Sequence, residues 1–169
     1  MRKNVVLPLA LLALFASMSA TAQTKMSGTL TCTKPDPAYK IDAGDRAAHE
    51  YRLSKIPCTW TKPADLGGDK TKDGYSISST EATSTRETVH GTHVTTMASG
   101  DKTFVTFHDE YPIKDGKPGA STGHWAYTGG TGKMKGLKGK GTYKAAPNAD
   151  GTVSVTVEGE YELGAPAAK

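Results

Sequence analysis

Apolar and polar residues alternate along most of the chain after about residue 25. The alternation is most complete between 152 and 163, where odd positions are apolar or glycine and even positions are polar or charged. A period of two places one face of a β-strand in a core and the other in water. Positions 137 to 144 alternate in the same way, with Leu137 and Tyr143 on the apolar face. These two segments therefore predict two neighbouring amphipathic strands.

The rest of the chain repeats this pattern in short segments separated by turn signals. Threonine, valine, serine and tyrosine dominate the segments, and runs such as LGGDKTKDG, KDGKPG and NADG separate them. Only the stretch GDRAAHEY suggests a helical turn. Such a series of short strands favours an antiparallel sheet that closes on itself or folds into a sandwich. The eight predicted strands are 25–33, 50–60, 75–83, 87–98, 102–111, 122–128, 135–144 and 152–163.

The last two predicted strands flank AAPNADG, whose Asp150-Gly151 pair suits a hairpin turn. A turn near Ala149 predicts Lys140 opposite Glu158 and Lys138 opposite Glu160 on the solvent-exposed face. On the buried face it predicts the pairs Tyr143 with Val155, Gly141 with Val157 and Leu137 with Tyr161. A slip of one residue would put valines opposite lysines, so alternation disfavours it.

The segment from Gly129 to Lys144 is rich in glycine and lysine but fits no phosphate-binding motif. Tyr127 and Met134 stand where a P-loop needs glycine and a hydroxyl residue, and the Gly-x-Gly-x-x-Gly pattern lacks its last glycine. The lysines have predicted glutamate partners across the hairpin. The sequence therefore gives no support to a nucleotide cofactor or to nucleic-acid binding.

The run WAYTGGTGKMKGLKGKGTYK resembles the Gly-Gly-Thr-Gly hairpin of the allene oxide cyclase and dirigent-like barrel superfamily. The whole chain is also similar to small exported bacterial proteins of that type, through its CTKPDP and CTWTKP segments. The resemblance implies an eight-stranded closed antiparallel barrel with a central cavity, and a trimer in the plant members. It carries over no catalytic residue, because no motif aligns in the earlier strands.

The N-terminus has the features of an export signal. Basic residues precede an apolar run from Val5 to Phe15, and Ala20-Thr21-Ala22 fits signal-peptidase cleavage before Gln23. The run is too short to span a bilayer, which takes roughly 20 residues. The sequence thus predicts a signal peptide at 1–22, one domain at 23–169, a periplasmic or extracellular location and no membrane insertion.

Composition adds little beyond this prediction. Removing Arg2 and Lys3 lowers the 21 basic residues to 19 against 17 acidic ones, a net charge of about +2. Two cysteines, Cys32 and Cys58, remain, and in an exported chain a lone pair predicts one disulfide. The bond would tether the N-terminal loop between them. A thiol redox or metal site is the weaker interpretation, because no Cys-x-x-Cys spacing is present.

Candidate chemistry along the strands is sparse. His90 and His93 suggest a metal, but an odd separation on a strand points two side chains to opposite faces. Asp109 should point away from His108, so no general-base pair is evident. No catalytic residue, metal site or cofactor is therefore predicted. Trp60 and Trp125 are candidates to line an apolar cavity, and plain core packing is the alternative.

The most function-like segment is AGDRAAHEY in the loop between the cysteines. Asp45, Arg46 and His49 place an acid, a cation and an imidazole within five residues. We expect this loop at a barrel mouth, where Arg46 would bind an anionic group. A loop fastened by an Asp–Arg pair is the alternative interpretation.

Three function classes remain open from the sequence. The first is a non-enzymatic exported barrel that binds a small, partly apolar ligand or acts as an envelope accessory protein. The second is a cyclase- or isomerase-like enzyme that works in the cavity without a cofactor. The third is a homo-oligomeric structural or adhesive protein. An inward-facing carboxylate or imidazole would favour the enzyme.

Overall fold

A computed structural model describes residues 23–164, so the predicted signal peptide at 1–22 and residues 165–169 lie outside the described range. Within this range the chain forms strands and one short 3-10 turn, η1. No helix within 23–164 is long and apolar enough to cross a membrane. The elements are β1 Thr24–Cys32, β2 Ala38–Asp42, β3 Glu50–Lys62, β4 Asp65–Leu66, β5 Asp69–Ala82, β6 Arg86–Met97, β7 Lys102–Lys114, β8 Lys117–Pro118, β9 Ser121–Gly130, η1 Gly132–Met134, β10 Lys138–Pro147 and β11 Val153–Glu162.

Eight of these strands form a closed antiparallel barrel, as predicted. Their order around the wall is β3-β1-β11-β10-β9-β7-β6-β5, and pairing of β5 with β3 completes the ring. All eight predicted strands are present, and their ends differ from the prediction by at most three residues except at β5, which begins six residues earlier. Closure leaves no free edge within this ring, which is how all-β proteins avoid edge-to-edge association.

One end of the barrel is filled by a plug of tightly packed side chains. Leu66, Met97, Met134 and Leu137 are almost completely buried there, and they come from β4, the end of β6 and the segment around η1. Tyr161 packs in the same cluster, and its hydroxyl accepts a hydrogen bond from Gly67 N at 2.9 Å. The apolar core is therefore concentrated at one end and leaves the middle of the barrel free for other side chains.

Glycines on the inner wall make room for aromatic rings. A Cβ at Gly141 would lie 2.7 Å from the indole of Trp125, and one at Gly159 would lie 2.5 Å from the same ring. The ring of Tyr143 lies against Gly123 in the same way. Close approach of a ring to the backbone requires the absence of a side chain at these positions. These glycines thus leave space for large side chains on neighbouring strands.

The predicted faces of the last hairpin are correct, but the predicted register is wrong by two residues. Lys140 lies opposite Glu160 rather than Glu158, and Gly141 lies opposite Gly159 rather than Val157. The other three predicted pairs shift in the same way, so that Lys138 faces Glu162, Tyr143 faces Val157 and the partner of Tyr161 is Gly139. The turn sets this register.

At the turn, Asn148 N donates to Thr152 O at 2.8 Å, and Asp150 Oδ1 accepts from Thr152 N at 2.9 Å. These two contacts centre the turn about one residue later than Ala149. Each pair along the hairpin is displaced accordingly. Alternation could not detect the error, because a shift of two residues keeps every side chain on its face.

The predicted disulfide between Cys32 and Cys58 is present. The segment it encloses is more ordered than a tethered loop, because β2 pairs there with the start of β3, from Ala38↔Ser54 to Asp42↔Glu50. The predicted strands omit β2, a short segment whose five residues are all exposed. The stretch GDRAAHEY forms bends and turns up to His49 rather than a helical turn, and its last two residues begin β3.

Candidate functional site

The middle of the barrel holds a cavity of about 320 Å³. Inward-facing residues of the barrel strands line it, and the plug closes it at one end. At the opposite end Pro35, Pro118 and Pro147 line it, which places the mouth near the disulfide and the β8–β9 connection. This volume lies at the lower end of the range for small-molecule sites in proteins.

One side of the cavity is apolar and largely aromatic. It is formed by β1, β9, β10 and β11, together with the neighbouring part of β7 and the Trp60 end of β3. Trp125 is buried, and its ring lies edge-on to that of Tyr127, with centroids 5.0 Å apart. The apolar residues lining the cavity include Met26, Leu30, Trp60, Val105, Phe107, Trp125, Tyr127, Tyr143, Val155 and Val157.

The facing side is polar. Small hydroxyl side chains project inward from β3, β5 and β6, where a water-excluding core would carry valine or leucine. These residues are buried or half-buried despite their polarity. They are Ser54, Ser76, Ser78, Thr80 and Thr95. The cavity is therefore amphipathic, with an aromatic wall opposite a hydroxyl-lined wall.

A charged network occupies the part of the cavity nearer its mouth. Glu87 forms an ion pair with Arg52 and accepts a hydrogen bond from the hydroxyl of Tyr111. Arg52 Nε also lies 3.3 Å from Glu50 Oε1, an ion pair without the geometry of a hydrogen bond. Burial and the neighbouring Glu87 carboxylate raise the pKa of Tyr111, so this hydroxyl remains a donor. Arg52 is thus paired with two acidic side chains, although its buried Nε has no hydrogen-bond partner in the described part of the chain.

Asp109 is a second inward carboxylate, and it has only neutral partners. Ser121 Oγ donates to Asp109 Oδ2 at 2.7 Å, and the hydroxyl of Tyr143 is close enough to this carboxylate to lower its pKa. Within residues 23–164, no cationic nitrogen lies within ion-pair distance of it. Burial raises the pKa of Asp109, and the two hydroxyls offset this only in part.

His93 lies deeper in the cavity and is 8% exposed. Its Nδ1 is 2.8 Å from Ser76 Oγ, whereas its Nε2 is buried without a hydrogen-bond partner in the described part of the chain. Burial lowers the pKa of His93 to about 4, so the ring is neutral at pH 7. Trp60 Nε1 is likewise buried and unpartnered. Both residues line the cavity, and buried polar atoms of this kind usually have a partner.

The predicted loop residues form a cluster of their own, away from the cavity lining. His49 Nδ1 is 2.5 Å from Asp45 Oδ1, and its Nε2 is 3.0 Å from Glu81 Oε1 on β5. Arg46 pairs with the other oxygen of Asp45 at 2.7 Å. The hydrogen bond with Asp45 raises the pKa of His49, and the same bond lowers that of Asp45. The structure therefore brings Asp45, Arg46 and His49 together in contacts that fasten the β2–β3 loop to β5.

Of the sequence-predicted site residues, only Trp60 and Trp125 line the cavity. His90 and His93 point to opposite faces, as predicted, with His90 exposed outside and His93 buried inside. His90, His108 and His124 form a row across the outer face of β6, β7 and β9. Nowhere within residues 23–164 do three or more histidine, cysteine or acidic residues come together so that they could hold a metal.

The ionisable residues of the cavity were not predicted from the sequence, although the strand pattern indicates one of them, Asp109. Asp109 shares its strand face with Val105 and Phe107, and the alternation of β7 already places those residues inside. A carboxylate on an apolar strand face is a signal of a polar site. Glu87 carries a weaker signal, because β6 mixes threonine, valine and histidine on both faces.

In comparisons with known proteins, no protein-family model matches the chain, and no curated protein matches it.

Proposed function

We propose that this protein is an exported, non-enzymatic barrel that binds a small amphipathic molecule in its central cavity. The observation that carries this proposal is the cavity itself, enclosed by an aromatic wall on one side and a hydroxyl wall on the other. A protein that used the barrel only as a rigid scaffold would gain stability from filling it, because empty apolar space and buried serines are both unfavourable. Export and membership of the dirigent-like superfamily are parts of the same proposal.

The composition of the wall supports a ligand with both apolar and polar groups. Aromatic side chains provide large apolar contacts, and a few placed polar groups fix the orientation of a ligand in such sites. The unpartnered His93 Nε2 and Trp60 Nε1 are two such groups. A ligand that satisfied them would remove an unfavourable feature of the interior.

The test is a fluorescence titration with N-phenyl-1-naphthylamine, a neutral apolar probe, against a cavity-filling variant and its matched control. Ser78→Phe places a ring inside the cavity, because Ser78 is buried on the inner face of β5. Ser79→Phe places the same ring outside, because Ser79 is exposed on the same strand. We expect saturable 1:1 binding by the wild type and by Ser79→Phe, and loss of about tenfold or more in affinity for Ser78→Phe.

Near-UV circular dichroism of both variants would establish that they are folded. A second pair, Ala145→Phe inside and Lys144→Phe outside on β10, repeats the comparison on the opposite wall. Equal binding by both members of each pair, or no saturable binding by the wild type, would refute the cavity as the binding site.

A cofactor-independent isomerase or cyclase is the second candidate function, and Asp109 is the observation that favours it. A carboxyl whose pKa is raised by burial in a cavity is a typical general acid or base. Catalysis of deuterium exchange into 4-phenylbutan-2-one, lost in Asp109→Asn and followed by NMR, would support it. Exchange at the uncatalysed rate would count against a general base at this position.

A further inference from the structure

We propose that the cavity is selective for a ligand that carries a protonated amine, which pairs with Asp109. The inference rests on the proposed function and adds the ligand's chemical class. Among residues 23–164, three that line the cavity have formally charged side chains, namely Arg52, Glu87 and Asp109. Arg52 and Glu87 form a direct ion pair with each other. The remaining charged group is Asp109, whose hydrogen-bond donor is the neutral hydroxyl of Ser121, with the hydroxyl of Tyr143 nearby.

Asp109 is half-buried, and a carboxylate withdrawn from water in this way is unfavourable unless a cation joins it. An ammonium group supplies both the opposite charge and hydrogen-bond donors, whereas a ligand carboxylate would be repelled. The aromatic rings near Asp109 add to this preference, since the hydroxyl of Tyr143 lies close to it and Phe107 stands two residues away on the same face. Cations are attracted to the faces of such rings.

The geometry also sets where the apolar part of the ligand lies. Phe107 and Asp109 both point inward from β7, and two residues along a strand advance by about 6.6 Å. Phe107 pairs across the sheet with Trp125. An aromatic group held against Phe107 and Trp125 would therefore lie one short alkyl chain away from the carboxylate. A phenyl ring joined to an amine by about four carbons matches this separation.

The test compares three compounds with the same skeleton, 4-phenylbutylamine, 4-phenylbutan-1-ol and 4-phenylbutanoate, as competitors of N-phenyl-1-naphthylamine at pH 7.5. Wild type should bind the amine about ten- to a hundredfold more tightly than the alcohol, and the alcohol more tightly than the carboxylate. Asp109→Asn keeps the size of the side chain but removes its charge. In this variant the amine should lose its advantage while the alcohol binds as before.

Glu110→Gln is the matched control, because Glu110 is the next residue on β7 and is exposed on the outer face. It should retain the wild-type preference for the amine. Equal affinities of the wild type for amine and alcohol would overturn the inference, as would an amine advantage that survives Asp109→Asn. If either result is obtained while the naphthylamine probe still binds, only the amine preference is refuted, and the proposed function is retained. Failure of the probe and of all three compounds to bind overturns the proposed function as well.

Discussion

Acidification should destabilise this protein through one buried histidine. His93 is enclosed by the barrel wall, and its hydrogen bond is to the neutral hydroxyl of Ser76. No charged group stabilises its protonated form, so burial alone lowers its pKa. Protonation of the ring would place an uncompensated charge in the cavity. In the unfolded chain the imidazole is in water, so its protonation carries no such cost.

The magnitude follows from the two pKa values. His93 titrates at about 4 in the folded protein and at about 6.5 in the unfolded chain. The unfolded state therefore binds more protons between these pH values, and stability falls as the pH falls. The contribution is fully present above about pH 6.5, declines through this window and levels off below about pH 4. Its total corresponds to about 3 kcal/mol of unfolding free energy.

Urea unfolding of wild type and His93→Gln at pH 7 and pH 4 measures this effect. Glutamine retains a polar end that can hydrogen-bond to Ser76 but does not titrate. The stability difference between wild type and variant should shift by about 3 kcal/mol against the wild type at pH 4. His90→Gln, on the exposed face of the same strand, should follow the wild type. Parallel pH profiles for wild type and His93→Gln would refute the buried position of this ring.

Three further predictions concern packing, the disulfide and the β2–β3 loop. Gly159→Ala should lower the unfolding free energy by about 2 kcal/mol or more in urea titrations, because its Cβ would overlap an indole ring; an unchanged midpoint would contradict this packing. Replacing Cys32 and Cys58 by alanine should lower the stability by about 3.5 kcal/mol for a 26-residue separation, and two alkylatable thiols in the native protein would exclude the bond. The raised pKa of His49 implies a stabilisation by Asp45 that is present below about pH 6.5 and is lost as the pH rises through that pKa. The stability gap between wild type and His49→Gln should thus be larger at pH 5.5 than at pH 9, and a gap independent of pH would show that folding does not favour the protonated form of His49.

The barrel could be predicted from the sequence because its strands alternate regularly and its turns carry clear signals. The same alternation could not fix the last register, since Lys140 stays on the outer face whether it meets Glu158 or Glu160. The predicted strands also omit β2, where Tyr39 and Ile41 alternate with polar residues but are exposed. Edge pairing of this kind depends on backbone hydrogen bonds and buries no apolar face, so five alternating residues do not distinguish it from a loop.

The candidate site was only partly predictable for a different reason. Trp60 and Trp125 are identifiable as inward aromatic residues of predicted strands, and both line the cavity. The polar wall is made of serine and threonine, which are equally common on the outer faces of the same strands. Whether an inward serine or threonine borders a cavity or packs against other side chains depends on the distance across the barrel to the opposite wall. That distance is set by barrel closure and by the aromatic rings, neither of which a local pattern encodes.

The most direct test of the account is a crystal structure of the wild-type protein with 4-phenylbutylamine at saturating concentration. We expect one molecule inside the barrel, with its ring against Phe107 and Trp125 and its nitrogen within hydrogen-bond distance of Asp109. A cavity free of the compound, or a molecule bound only to the outer surface, would contradict the central claim that the barrel interior is the binding site.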